Sequence, residues 1–211
     1  MKAYLIIGHD IDVDKITDFD SSYVIGVDRG SLFATKNNVK LDLAIGDFDS
    51  VTLDEYESIE NYAKETVKLN PIKDKTDLYE AYDRCEKADE IVILGGIQGR
   101  RIEHFLSILS LVKYDARVSM LDNNSYIFSV IENEEVIDIP KRGYKYISFF
   151  ANERSILTLE GFKYPLEDYT LDVFNQSLTV SNEILNMEGY LTLKKGSLLV
   201  IQSKEDHSYL I

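Results

Sequence analysis

LDLAIGDFDSVTLDEYESIENYAKE, residues 41–65, decides the fold. Its apolar residues Leu43, Ala44 and Ile45 run on instead of alternating with polar ones, as in a parallel strand covered on both faces by helices. The run enters an acidic loop, GDFDS. Thr52, followed three places on by Glu55, then forms a capping box, so a helix is predicted from about Leu53. Strand, loop and amphipathic helix make one unit of a repeated β/α chain.

Working outward, the same unit recurs as far as about residue 122. AYLIIG (3–8), YVIGVD (23–28), TVKL (66–69), EIVILGG (90–96) and RVSML (117–121) are the other predicted strands. A helix is predicted over 77–87, with Thr76 as its N-cap and Leu78, Ala81, Tyr82 and Cys85 at helical spacing. Another is predicted over 102–114. Its Phe105, Leu106, Ile108, Leu109, Leu111 and Val112 cover too much of the circumference for a surface helix, which places it in the core or at a subunit contact. After LDNNS the sequence changes character. YIFSVI, EVIDI, YKYISFFA, SILTLEG, TLDVF, QSLTVS, YLTL and SLLVIQS are short, β-branched and aromatic, with turn residues between them. KKGS (194–197) reads as the hairpin joining the last two. The fold class is therefore α/β plus all-β: a mostly parallel sheet flanked by helices over residues 1–123, then an antiparallel β-sandwich or small barrel over 124–211.

Composition narrows the function. The chain has 211 residues and 45% hydrophobic content, enough for a packed core. It carries 37 acidic against 23 basic side chains, a formal charge of −14. Such a field repels a phosphodiester backbone, so a nucleic-acid-binding face is excluded, while a small phosphorylated ligand is not. Cys85 alone can make no internal disulfide, and its place in YEAYDRCEK suits a buried helical residue; both fit a cytoplasmic protein. The amino-terminal apolar stretch of MKAYLIIGHD is too short for a signal peptide or a membrane span.

In an open parallel sheet, ligands sit at the carboxyl ends of the strands. Four unusual loops fall there. VDRG (27–30) sets Asp28 and Arg29 before the flexible Gly30 as a helix begins. GDFDS (46–50) holds Asp47 and Asp49, whose side chains share one side if the backbone stays extended through Phe48. Two such carboxylates repel unless one takes a proton or the pair recruits a cation, and Mg2+ suits oxygen ligands of this kind. Capping of the next helix would equally explain the acids. KDKTD (73–77) alternates Asp74 and Asp77 with Lys73, Lys75 and Thr76, more acid than a cap requires. GGIQGRRIEH (95–104) adds glycines, Gly96 among them, to Arg100, Arg101, Glu103 and His104 at a helix start, where free amides can receive an anion.

Taken in this order, VDRG, IGDFDS, DKTD and the GR-x-acid-His run, followed by GFKYPL (161–166) and VSNE (180–183), resemble the thiamine pyrophosphokinase family across nearly the whole chain. The resemblance implies transfer of a pyrophosphoryl group from ATP to the hydroxyl of thiamine, with Mg2+, by a homodimer whose active sites lie at the subunit interface. It implies that Asp47, Asp49 and Asp77 hold the metal and act in catalysis with Arg101. Asp28, Arg29, Gly30, Asp74, Thr76, Gly96, Arg101, Glu103 and His104 would serve the nucleotide. Tyr164, standing where some relatives have a tryptophan, would stack on thiamine, and Ser181 and Asn182 would hydrogen-bond its pyrimidine. The chain departs from the family pattern at Arg100, where a glycine is usual, at Glu103 for aspartate, and at Ile108 for asparagine. A metal-dependent nucleotide or pyrophosphate hydrolase, or a non-catalytic thiamine or nucleotide sensor, would use much of the same surface.

Overall fold

The computed structural model describes residues 1–9, 11–97 and 101–205. It forms two compact units, one built on residues up to 105 with 120–123, the other on residues 106–119 and from 124 onward. No helix among the described residues is long and apolar enough to cross a membrane.

The first unit contains β1 (Lys2–Ile6), β2 (Tyr23–Val27), α1 (Arg29–Lys36), β3 (Leu43–Gly46), α2 (Leu53–Tyr62), β4 (Thr66–Lys68), α3 (Asp77–Asp83) and β5 (Glu90–Leu94). α4 (Ile102–Tyr114) and β6 (Val118–Leu121) follow in the chain. The strands lie in the order β6-β5-β1-β2-β3-β4. β1 runs parallel to β2 and β5, with Ile6 opposite Gly26 and Leu94, and β2 runs parallel to β3, with Val27 opposite Ile45. The carboxyl ends of these strands therefore finish together, and the loops that leave them share one rim. Leu5, Ile25, Leu43, Ile45, Ile91 and Ile93 are wholly buried, the double-sided burial that their unbroken apolar runs encode.

α2 starts where the capping box puts it. Glu55 N–H donates to Thr52 Oγ1 at 3.3 Å and Thr52 N–H donates to Glu55 Oε2 at 3.1 Å. α3 stops at Asp83, short of the 87 that periodicity predicts. Beyond it Cys85 N–H reaches Tyr82 O at 2.8 Å and Ala88 N–H reaches Cys85 O at 2.9 Å; these tighter three-residue turns keep Cys85 buried after the α-helix has ended. α4 spans its predicted residues but is not a core helix. Ile108, Leu111 and Val112 are buried, whereas Ile102, Leu106 and Tyr114 face outward.

The second unit is antiparallel throughout: β7 (Ser125–Pro140), β8 (Tyr146–Ala151), β9 (Ser155–Glu160), β10 (Leu166–Leu171) and β11 (Glu188–Ser203). β11 is its axis. One edge pairs with β7 from Glu188↔Pro140 to Ser203↔Ser125, while the other pairs first with β9 and then with β8. Alternate residues of β8, β9 and β11 are buried, and Phe149 meets Phe162 edge-on at 5.6 Å within the core they share with Leu157, Leu191 and Val200.

Four sequence expectations fail here for physical reasons. KKGS is no hairpin: YLTL and SLLVIQS are one strand, broken only by irregularities in register around residues 191–197. Gly196, at φ +89°, takes the bulge, and its N–H donates to Glu132 Oε2 at 3.1 Å. YIFSVI and EVIDI likewise merge into β7. QSLTVS forms a 3-10 turn at Ser177–Thr179 instead of a strand, because Thr179 Oγ1 donates to Phe149 O at 2.6 Å and to Gln176 O at 3.0 Å. TLDVF is strand only as far as Leu171; Asp172 then turns the chain by accepting from Phe174 N–H at 3.0 Å through Oδ1.

Candidate active site

Three carboxylates converge at the rim of the parallel sheet. Asp28, Asp47 and Asp49 each place an oxygen within 4.8 Å of the others. Asp47 and Asp49 arrive there by a route the sequence did not predict. The backbone is not extended through Phe48 but left-handed, at φ +56°. Phe48 is buried and packs edge-on against Tyr56 at 5.1 Å, which drives its ring inward and turns the flanking acids outward. Asp49 N–H closes the turn on Asp47 Oδ1 at 3.2 Å.

Asp28 joins them from the neighbouring strand. Its φ of 48° and ψ of −122° lie where glycine is the usual occupant. The surroundings impose that conformation: Asp28 N–H donates to Ile45 O at 2.9 Å, and Asp28 O accepts from Ser31 N–H at 3.0 Å as α1 begins. Ser50 Oγ donates to Asp28 Oδ2 at 2.8 Å, while Oδ1 is buried with no hydrogen-bond partner among the described residues. Burial pushes the Asp28 carboxyl above the ordinary range; the Ser50 hydrogen bond and the nearby Arg29 backbone oppose that, and the charges of Asp47 and Asp77 add to it. An orphaned buried carboxylate oxygen beside two further carboxylates is a hard, all-oxygen donor set, and it fits a magnesium ion. The predicted metal set named Asp77 where the geometry gathers Asp28.

Asp77 is nonetheless close. Lys73 Nζ lies 3.0 Å from Asp77 Oδ1 and 3.8 Å from Asp47 Oδ2. Thr76 caps α3 by accepting from Tyr79 N–H at 3.4 Å. Asp74 is exposed, and Lys75 pairs with Asp83. Gly30 is placed by packing, since a Cβ there would sit 1.8 Å from Ile6 O. Arg29 is exposed at the first turn of α1. In the fourth loop, Gly96 takes φ +80°. Arg101 Nε donates to Glu103 Oε1 at 2.7 Å and holds the Glu103 carboxyl below its usual range. His104 is exposed, its N–H on Arg101 O at 3.1 Å. Gly99 and Arg100 lie outside the described residues.

In the second unit, Tyr164 is 54% exposed, with Lys163 Nζ 5.7 Å from its ring centroid. Asn182 is buried, and both ends of its amide hold the tyrosine backbone: Nδ2 donates to Tyr164 O at 2.8 Å, and Oδ1 accepts from Tyr164 N–H at 3.0 Å. Oδ1 also accepts from Glu183 N–H at 2.9 Å. Asn182 is thus a brace for Tyr164. Ser181, exposed and at φ +59°, donates its N–H to Ser148 Oγ at 2.9 Å.

Fold and rim define a class: a two-unit α/β plus all-β protein with an acidic, metal-type centre at the end of a parallel sheet. Residues 17–120 match the family "Thiamin pyrophosphokinase, catalytic domain", and residues 134–198 match "Thiamin pyrophosphokinase, vitamin B1 binding domain". The chain is 35% identical over 202 residues to thiamine pyrophosphokinase of Bacillus subtilis, covering 92% of each. The crystal structure of the Bacillus subtilis protein superposes with a TM-score of 0.82 at 31% identity over 98% of this chain and 100% of that one. Thiamin pyrophosphokinase from Candida albicans, at 14% identity, shares the fold with a TM-score of 0.78 over 97% of this chain and 89% of that one. This chain belongs to the thiamine pyrophosphokinase family.

Proposed function

We propose that this chain transfers a pyrophosphoryl group from ATP to the hydroxyl of thiamine, giving thiamine diphosphate and AMP. The observation that carries the reading is the convergence of Asp28, Asp47 and Asp49, with Asp77 tied in through Lys73, at the rim of a sheet in a chain of this family. The residues up to 123 serve the nucleotide and those from 124 serve thiamine. The protein acts as a cytoplasmic homodimer.

Little covalent chemistry is asked of the protein: the reaction needs the thiamine hydroxyl in line with the β-phosphorus, and charge neutralised as the bridging oxygen leaves. Asp47, Asp49 and Asp28 would hold a magnesium ion, which would supply most of that neutralisation. Arg101, or Lys75 of the KDKTD loop, meets phosphate oxygens, and a carboxylate of Asp77 or Asp49 accepts the hydroxyl proton. Tyr164 offers its exposed ring to the cationic thiazolium or the pyrimidine, braced from behind by Asn182. Ser181, next to Asn182 in the chain, would hydrogen-bond the pyrimidine.

A coupled assay for AMP, with and without thiamine, tests the reading. AMP formed only with thiamine supports transfer. AMP without thiamine would indicate the hydrolase, and tight binding of either ligand with no AMP would indicate the sensor. In the same assay Asp49→Asn is expected to lower turnover by at least about a hundredfold while keeping the native circular dichroism spectrum. A near-normal rate in that variant would sink the metal assignment.

A further inference from the structure

The acidic rim already carries a cation of its own. The Lys73 side chain is 15% exposed, and the two carboxylates it faces, Asp47 and Asp77, are 16% and 25% exposed. Its ammonium donates to Asn70 O at 3.3 Å and lies 3.0 Å from Asp77 Oδ1 and 3.8 Å from Asp47 Oδ2. One N–H of the ammonium is taken by a carbonyl of its own loop; toward the first turn of α3 and the loop after β3 it makes ion pairs, close with Asp77 and longer with Asp47. Exposed lysine pairs are loosely held and screened. This one is largely withdrawn from solvent, with a carboxylate on either side.

Asp28, Asp47, Asp49 and Asp77 bring more negative charge to this rim than one divalent ion neutralises. Acid-rich phosphoryl-transfer centres of that kind often recruit a pair of divalent ions, with a carboxylate shared between them. Asp47 is shared in this way, but between the Asp28–Asp49 group and Lys73. We propose that Lys73 is a resident second cation: its ammonium takes the place between Asp47 and Asp77 that a second divalent ion would fill, so the centre binds a single divalent ion. Lys73 is then a positioning residue. It pairs with Asp77 and with Asp47 Oδ2, adding to the hold that Asp49 N–H already has on Asp47 Oδ1. The inference rests on the proposal that a divalent ion binds at Asp28, Asp47 and Asp49.

Manganese binding to the nucleotide-free protein tests it, read by electron paramagnetic resonance and by calorimetric titration. The parent is expected to bind one Mn2+ per chain. Lys73→Gln and Lys73→Met, which keep the stem and remove the charge, are expected to bind two, with dipolar broadening from the paired ions; Lys73→Arg is expected to return to one. The inference is overturned by a stoichiometry of one in both uncharged variants, or of two in the parent. Failure of the underlying reading looks different: then the parent binds no Mn2+, or binds one that Asp49→Asn does not abolish. Thermal melts of each variant establish that the fold is intact, and two uncharged replacements keep the test decisive if one of them folds poorly.

Discussion

Asp28 holds its carboxylate in place against two costs, a backbone conformation suited to glycine and a charge partly withdrawn from water. A carboxyl whose folded-state pKa lies above its unfolded value favours folding while it is protonated. That contribution is present in full below the unfolded pKa and is lost as pH rises through the folded one. Asp28→Asn keeps an acceptor for Ser50 and removes the charge. It is therefore expected to melt above the parent at neutral pH, with the gap closing as pH falls toward about 4, and to bind Mn2+ more weakly. Equal melting temperatures at neutral pH would refute that account. Gly30 is fixed by space: an added Cβ would meet Ile6 O at 1.8 Å, in the strand that pairs with both neighbours. Gly30→Ala is expected to cost about 3 kcal/mol or more, a fall of roughly 6 °C or more for a chain of this size. Of the residues at the rim, Asp47 and Asp49 were legible as a pair from spacing alone. Asp28 was assigned to the nucleotide because its place beside them depends on the β2–β3 register, and the bridge from Lys73 to Asp47 depends on tertiary structure that no local pattern carries.

At the scale of elements, local signals succeeded wherever the tertiary context agreed with them. The Thr52–Glu55 capping box formed as read, and Thr52→Ala is expected to lose about 1 kcal/mol, or roughly 2–4 °C in Tm. Manganese affinity should not change, since the Thr52 hydroxyl serves Glu55 N–H and the acids do not use it. The parallel strands were legible because double-sided burial writes unbroken apolar runs. The KKGS turn was misread because Lys, Gly and Ser favour a hairpin locally, whereas the residues on either side both pair with β7, and a continuous ladder outweighs one turn. QSLTVS looks like a strand by composition; only the buried Thr179 hydroxyl, reaching Phe149 O, reveals the turn. α4 is the converse case, since its wide apolar surface gave the right helix and left open what covers Leu106 and Tyr114.

For the whole molecule, a formal charge of −14 opposes compactness, and the acidic rim concentrates part of that repulsion. A divalent ion that binds only the folded chain stabilises it by about 2.7 kcal/mol at a hundredfold excess over its Kd, which amounts to roughly 5–10 °C. That rise is expected with Mg2+ in the parent and not in Asp49→Asn; an equal rise in both would mean general charge screening. The two units are completed at different moments of synthesis. β1 finds its partners within residues 2–94, so the parallel sheet can begin to close early. β7, β8 and β9 all take a partner from β11, which leaves the ribosome about fifty residues after β7 ends, a few seconds at ordinary translation rates. During that interval, strand edges later sealed by β11 are open to other nascent chains. Substitutions that weaken β11 pairing should thus lower the yield of protein from cells before they lower the melting temperature of what is recovered.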